Sequence, residues 1–314
     1  MPARYWGSRE AASIRKATGL SDPITGMQRL ADQLLDEGGW DQPPAPPAIL
    51  ASFQGVHEVR LATMQSAGRL VYRDSHLVIE INEEHSLGKR NFTADHEVSH
   101  TLLPTYAGQS IDDLETGMFL KGSEEELLCD IGAAALLLPP RWLRPHAVVG
   151  GPSISTLLDV ASVFESSLEA AARQLTHLDC WPAAFICWEE GFRKDERVAK
   201  GQMMMSGFER FGGPRPKWRI CRAYSTRSFH HFIPNNKSAE DTSLVAACCE
   251  GDRFTWGFED FDLGNGPLKM YCENYYAPYR KGDTVRRRVI SVLVAVPPQG
   301  NQPTVPSPTQ MEIL

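Results

Sequence analysis

No apolar run in the 314 residues approaches the roughly 20 needed to cross a bilayer, so the chain is not expected to span a membrane. The opening MPARYWGSREAASIRK has basic residues with no apolar stretch behind them, which is not a secretory signal, and a cytoplasmic location is the expectation. The seven cysteines are odd in number and none falls in a CxxC pair, which argues against a disulfide framework and a structural zinc ribbon. Positive charge is also short. The net charge of −7 disfavours a surface given over wholly to nucleic acid, although it leaves room for a local basic patch. No internal repeat is visible.

What is present suits a two-domain globular protein: 42% hydrophobic and 23% charged residues, in a chain long enough for two cores. Ile24, Met27, Leu30, Ala31 and Leu34 recur at three- and four-residue spacing, which predicts an amphipathic helix from Pro23 to Glu37 stopped by Gly38 and Gly39. The run DQPPAPPA reads as a rigid connector. Between Val56 and Asn82 the segments EVRLATM, GRLVYR and HLVIEIN predict a small antiparallel meander. Thr93 to Leu103 and Ser123 to Leu138 then read as helices, the second with an acidic first turn that suits its dipole. Residues 155–175 carry two short helical patterns with a break near Glu165, a helix-turn-helix-like shape in which only Arg173 is basic.

The chemistry concentrates in HEVSH. Two histidines four residues apart share one face of a helix, so His96 and His100 can reach one zinc ion, one per chain. Glu97 is offset around the helix and reaches the attacking water instead of the metal, as a general base. A third ligand must come from another element. Glu124, Glu125 and Glu126 compete for that place, and Glu126 is preferred because it alone leaves an acid, Asp130, four residues on. Asp130 then accepts the free ring N–H of a ligating histidine and fixes its orientation. Tyr106 and His146 are candidates for a partner to the oxyanion. HLVIEIN is a candidate strand for pairing with an extended substrate.

At RNFTADHEVSHTLLP, at the ExxxD helix running into AAALLLPP, and at LLDVASVFESSLEAAARQL the chain resembles the ImmA/IrrE family of metallopeptidases. The resemblance implies an α+β, zincin-like fold of the gluzincin type and a cytoplasmic zinc endopeptidase. It also implies a substrate, a partner repressor of helix-turn-helix type that is cleaved after stress or DNA damage. A peptidase followed by a Cys-containing domain is most similar to the repressor-cleaving peptidases of anti-phage operons. Two departures from the family pattern stand out: Cys129 and Gly132 where Ala and a bulky aromatic are commoner, and Val98-Ser99 in place of Ile/Leu-Gly.

These readings assign residues 1–178 to the peptidase, 179–298 to a sheet-rich, sensor-like domain of GAF type, and the Pro-rich 299–314 to a disordered tail. AAFICW, WRICRAY, SLVAACCE, RFTWGFE and VISVLVAV are its expected strands. Cys180, Cys187, Cys221, Cys248, Cys249 and Cys272 lie there and are candidate sensor thiols, against the commoner fate of free cysteine as a small buried hydrophobe. Its aromatic residues with scattered Arg and Lys suit stacking on single-stranded DNA, a candidate activating ligand. The rival readings are a helix-turn-helix transcription regulator and a non-catalytic, zinc-stabilised binding module.

Overall fold

The computed structural model describes residues 6–106, 123–193, 195–196, 215–262, 266–281 and 284–295. The tail 299–314 lies outside the described residues. By packing, the chain divides into two compact units: Met1–Pro145 with Val160–Gln174, and His146–Asp159 with Leu175–Leu314.

The first unit begins with three helices, α1 (Arg9–Thr18), α2 (Pro23–Glu37) and α3 (Pro47–Phe53). Ser8 and Asp22 cap the first two through their side chains, and Gly19 ends α1 in the left-handed region. The α2 bounds are those that its periodicity predicts. The proline-rich connector is shorter than expected, because Pro47 opens α3, where a missing N–H donor costs nothing.

Three strands follow, β1 (Val56–Ala62), β2 (Gly68–Arg73) and β3 (His76–Asn82), in the spatial order β1-β3-β2. The expected antiparallel meander is corrected here. β3 lies between its neighbours, antiparallel to β2 but parallel to β1, so the sheet is mixed. Asp74 and Ser75, both at positive φ, form the two-residue hairpin turn between β2 and β3. The β1–β2 connection crosses the end of β3 and is bonded there by the buried Asn82. Its Nδ2 donates to the Met64 and Ser66 carbonyls and its N–H to that of Ala67. HLVIEIN is the most apolar of the three strands, and burial on both sheet faces is what its composition meets. Its one acid, Glu80, is covered by Arg60, Arg69 and Arg73. Burial works to raise the Glu80 pKa, but hydrogen bonds from these arginines hold it at about 2.

Helix α4 (Leu87–Leu102) starts six residues earlier than the pattern at Thr93 suggests, and α5 (Glu124–Leu137) follows Ser123, whose hydroxyl accepts the Glu126 N–H. The two helices pack closely, and the contact explains both departures from the family pattern. A Cβ on Gly132 would lie 2.5 Å from Ser99 Oγ and 2.9 Å from Ser99 Cβ. The serine in α4 therefore fills space that the glycine in α5 leaves open. Beside this contact Leu128 and Cys129 join Trp6, Ile14, Met27 and Leu103 in one core cluster.

Next come α6 (Pro140–Gly150), α7 (Ile154–Val163) and α8 (Leu168–Leu178); Glu165, at φ 48°, makes the expected break between the last two. The second unit is built on β4 (Ala183–Gly191), β5 (Lys217–Ser225), β6 (Phe254–Asp262), β7 (Pro267–Tyr276) and β10 (Arg288–Val294), with a small hairpin of β8 (Tyr279–Lys281) and β9 (Thr284–Arg286). The five long strands form an antiparallel sheet ordered β5-β4-β10-β7-β6. One face carries an apolar core around Ile186, Trp188, Ile220, Met270 and Leu293. SLVAACCE is not a strand. Ser243 caps a short helix, α9 (Leu244–Ala247), and the chain continues into a π-helical turn through Asp252. PLKMYCENYY, absent from the expected strands, is β7.

The close α4–α5 packing makes a direct prediction. Gly132→Ala should lose about 1–3 kcal/mol in urea unfolding, the usual cost of overpacking. Adding Ser99→Gly should recover most of that loss, because it removes the atoms the new methyl meets. Equal destabilisation in the single and double variants contradicts the contact.

Candidate metal centre

Four-residue spacing on α4 places His96 and His100 side by side, with ring centroids 5.1 Å apart. Glu126, in the first turn of α5, faces both: Oε2 is 3.5 Å from His96 Nε2, and Oε1 is 3.6 Å from His100 Nε2. One donor atom from each of the three residues lies within 4.8 Å of the others. They are the one such group of three or more His, Cys, Asp or Glu side chains among the described residues. Two imidazoles and a carboxylate converging in this way fit a catalytic zinc site with a fourth position left for water.

The acids that compete with Glu126 have other contacts. The Glu124 carboxylate accepts the backbone N–H groups of Gly7 and Ser8 at the start of α1. Glu125 Oε1 lies 3.4 Å from His100 Nδ1. Asp130 accepts the His96 Nδ1–H at 3.0 Å, one helical turn beyond Glu126, as the i, i+4 spacing requires. Each imidazole thus presents Nε2 to Glu126 and Nδ1 to a second acid, an arrangement that fixes both rings. Burial works to lower the His96 pKa, but hydrogen bonds with Asp130 and Glu126 raise it to about 10. The centre is built to hold positive charge.

Glu97 is buried beside this group, and burial raises its pKa above the usual carboxylate value despite the opposing histidines and a hydrogen bond from the Leu70 backbone. A raised pKa brings a carboxylate closer to the range in which it both takes and returns a proton near neutral pH. Leu70 is a contact that sequence reasoning missed. It acts through a backbone N–H on β2, and no side-chain pattern signals it. Asp95, the residue before His96, is fully buried with neither carboxylate oxygen hydrogen-bonded, and burial pushes its pKa well up, which favours the neutral acid.

The expected substrate strand is also corrected: β3 is central and paired on both sides, so HLVIEIN has no free edge. β2 is an edge of the sheet. Tyr106 lines a cavity with Tyr72, while His146 belongs to the second unit, where its Nδ1 lies 2.9 Å from Asp159. Among the candidate sensor thiols, Cys187, Cys248 and Cys272 are buried, Cys180 and Cys249 partly buried, and Cys221 exposed with Sγ donating to the Cys187 carbonyl. Burial pushes the Cys248, Cys249 and Cys272 thiols up to about 12, which suppresses the thiolate that redox chemistry needs.

Asp130→Asn replaces the acceptor opposite His96 Nδ1–H by an amide that can point either way. Zinc affinity, measured by competition with a chromophoric chelator, should fall about 10- to 100-fold. Unchanged affinity contradicts the orienting role.

Residues 52–176 match the model of the IrrE N-terminal-like domain, Peptidase_M78. The radiation response metalloprotease IrrE of Deinococcus deserti is 28% identical over 136 residues, which make up 41% of this chain and 47% of the relative. The match therefore spans about half the relative's length. A Mycobacterium tuberculosis transcriptional regulator of known structure aligns over 91% of this chain and 80% of its own, with a TM-score of 0.53 and 14% identity, a likeness of fold alone. The matched segment holds HEVSH, Glu126 and Asp130, and through it the chain belongs to the ImmA/IrrE family.

Proposed function

We propose that this chain is a zinc-dependent endopeptidase that cleaves a transcriptional repressor of helix-turn-helix type in response to stress, DNA damage or phage infection. The observation that carries the reading is the combination of three convergent ligands, His96, His100 and Glu126, with a buried acid, Glu97, that is not among them. A zinc ion held by these ligands would polarise a scissile carbonyl and acidify a water. Glu97 accepts a proton from the attacking water as the C–O bond forms, then gives it to the amine nitrogen as the C–N bond breaks. Asp130 holds the His96 ring, and Glu125 lies beside that of His100.

The substrate is best accommodated at β2. The bond from Asn82 N–H to Ala67 O sets the phase of the β2–β3 ladder, so Gly68, Leu70 and Tyr72 turn their backbone groups away from β3. The Leu70 N–H directed at Glu97 agrees with this phase. An extended peptide added to that edge would run past the general base.

The non-catalytic zinc module is less well supported, because a closed structural site calls for a fourth protein ligand and has no use for Glu97. The transcription-regulator reading rests on the printed title of a protein alike in fold alone. In the second unit, taken from β4 onward in chain order, the strands lie in the order second, first, fifth, fourth, third, an arrangement in keeping with a GAF-like sensor. On its edge strand β6 the exposed Trp256 and Phe258, with Lys269 6.0 Å from the Phe258 ring, favour single-stranded DNA as the activating ligand.

Glu97→Gln tests the reading. With the helix-turn-helix repressor of its own operon, and with or without single-stranded DNA, the zinc-loaded wild-type chain should give discrete fragments. The variant should bind zinc as wild type does and leave the repressor intact. Wild-type-like cleavage by the variant contradicts the assignment.

A further inference from the structure

A cavity of about 500 Å³ lies at the C-terminal end of β2, and the catalytic chemistry does not use it. Tyr72, Leu77 and Val56 line it from one register row that crosses all three strands, and Tyr106, just beyond α4, lines it as well. The exposed His57 and His76 complete the lining, with ring centroids 4.6 Å apart. Tyr106 Oη is buried and has no hydrogen-bond partner among the described residues. A buried phenol normally finds one.

The cavity is aligned with the edge that faces Glu97. Side chains alternate along a strand, so Gly68, Leu70 and Tyr72 share a face, and that face looks toward α4. A Cβ on Gly68 would lie 2.5 Å from Thr93 Cγ2. Leu70 marks the position of Glu97, and Tyr72 lies two residues, roughly 7 Å, further along. In an antiparallel pair, residues directly opposite each other put their side chains on the same face. A peptide residue opposite Tyr72 therefore points its side chain into the cavity. Because an antiparallel peptide runs against β2, that residue lies on the N-terminal side of the one opposite Leu70.

We propose that this cavity is a specificity pocket for an aromatic side chain with a polar tip, tyrosine above all, upstream of the scissile bond. The inference rests on the endopeptidase reading for its register, but not for the pocket itself. Tyr72, Leu77 and Val56 supply wall for a ring, and the Tyr106 hydroxyl supplies the partner that a second hydroxyl needs. Phenylalanine would fill the same walls and leave Tyr106 Oη unsatisfied.

Two measurements on the full-length chain separate the pocket from the peptidase reading. In the first, the zinc-loaded chain cleaves a positional-scanning library of internally quenched decapeptides. One position upstream of the cut should favour tyrosine over phenylalanine about tenfold, the worth of one hydrogen bond. Tyr106→Phe should abolish that discrimination, and His76→Trp, which places an indole among the lining residues, should turn the preference toward small residues. In the second, N-acetyl-tyrosinamide is titrated into metal-free Glu97→Gln chain and followed by saturation-transfer NMR. It should bind, and His76→Trp should prevent it. No upstream preference, a preference unchanged by both variants, or equal loss of all peptides in Tyr106→Phe overturns the proposal; the last result would mark Tyr106 as an oxyanion donor. If the wild-type chain cleaves no peptide, the endopeptidase reading loses its support, while amide binding that His76→Trp removes upholds the pocket and its absence overturns it.

Discussion

The contact between Ser99 of α4 and Gly132 of α5 sets how closely the two helices approach, and the metal centre depends on that distance. His96, Glu97 and His100 belong to one helix, while Glu126 and Asp130 belong to the other. A carboxylate that must face two Nε2 atoms at 3.5 and 3.6 Å tolerates little change in helix separation. The glycine removes a Cβ where the backbones need to come near, and the serine occupies the space left. Helix packing here is therefore part of the site's geometry, and a substitution that touches no ligand can alter it.

Charge follows the same logic. His96, Glu97 and His100 stand among Glu125, Glu126 and Asp130, a set of acids whose mutual repulsion a divalent cation would relieve. The acids divide by environment. Asp130 and Glu126 accept from or face imidazole, and Glu97 is buried beside β2 with its pKa raised. Asp95, one residue earlier on the helix, has no partner at all and is kept neutral by burial. Adjacent positions on α4 thus hold a neutral acid, a ligand and a general base, each set by the direction in which the helix points it.

Much of this was legible in the sequence, and the remainder was hidden for identifiable reasons. HEVSH and the EEELLCD run carry their meaning in spacing, because helical periodicity alone decides which side chains share a face. The choice of Glu126 over Glu124 and Glu125 followed from the i, i+4 relation to Asp130, and the distances agree with it. Strand order is a different kind of information. Nothing local in GRLVYR and HLVIEIN states that β1 lies parallel to β3, since the ordering depends on Asn82 bonding the crossover loop. The apolar composition of HLVIEIN was the available clue to its central place. SLVAACCE was read as a strand for its Val and Cys, yet the Ser243 cap and two following alanines favour a helical turn. Leu70 and the Tyr72 cavity came from tertiary structure alone.

The central claim is that His96, His100 and Glu126 form an open three-ligand site for one metal ion. Diffraction from crystals of the zinc-loaded chain, recorded on both sides of the zinc absorption edge, tests it most directly. The account predicts one anomalous peak per chain, within about 2.0–2.2 Å of His96 Nε2, His100 Nε2 and a Glu126 oxygen, with no fourth protein ligand. A peak elsewhere, or a fourth side chain closing the coordination sphere, would contradict it.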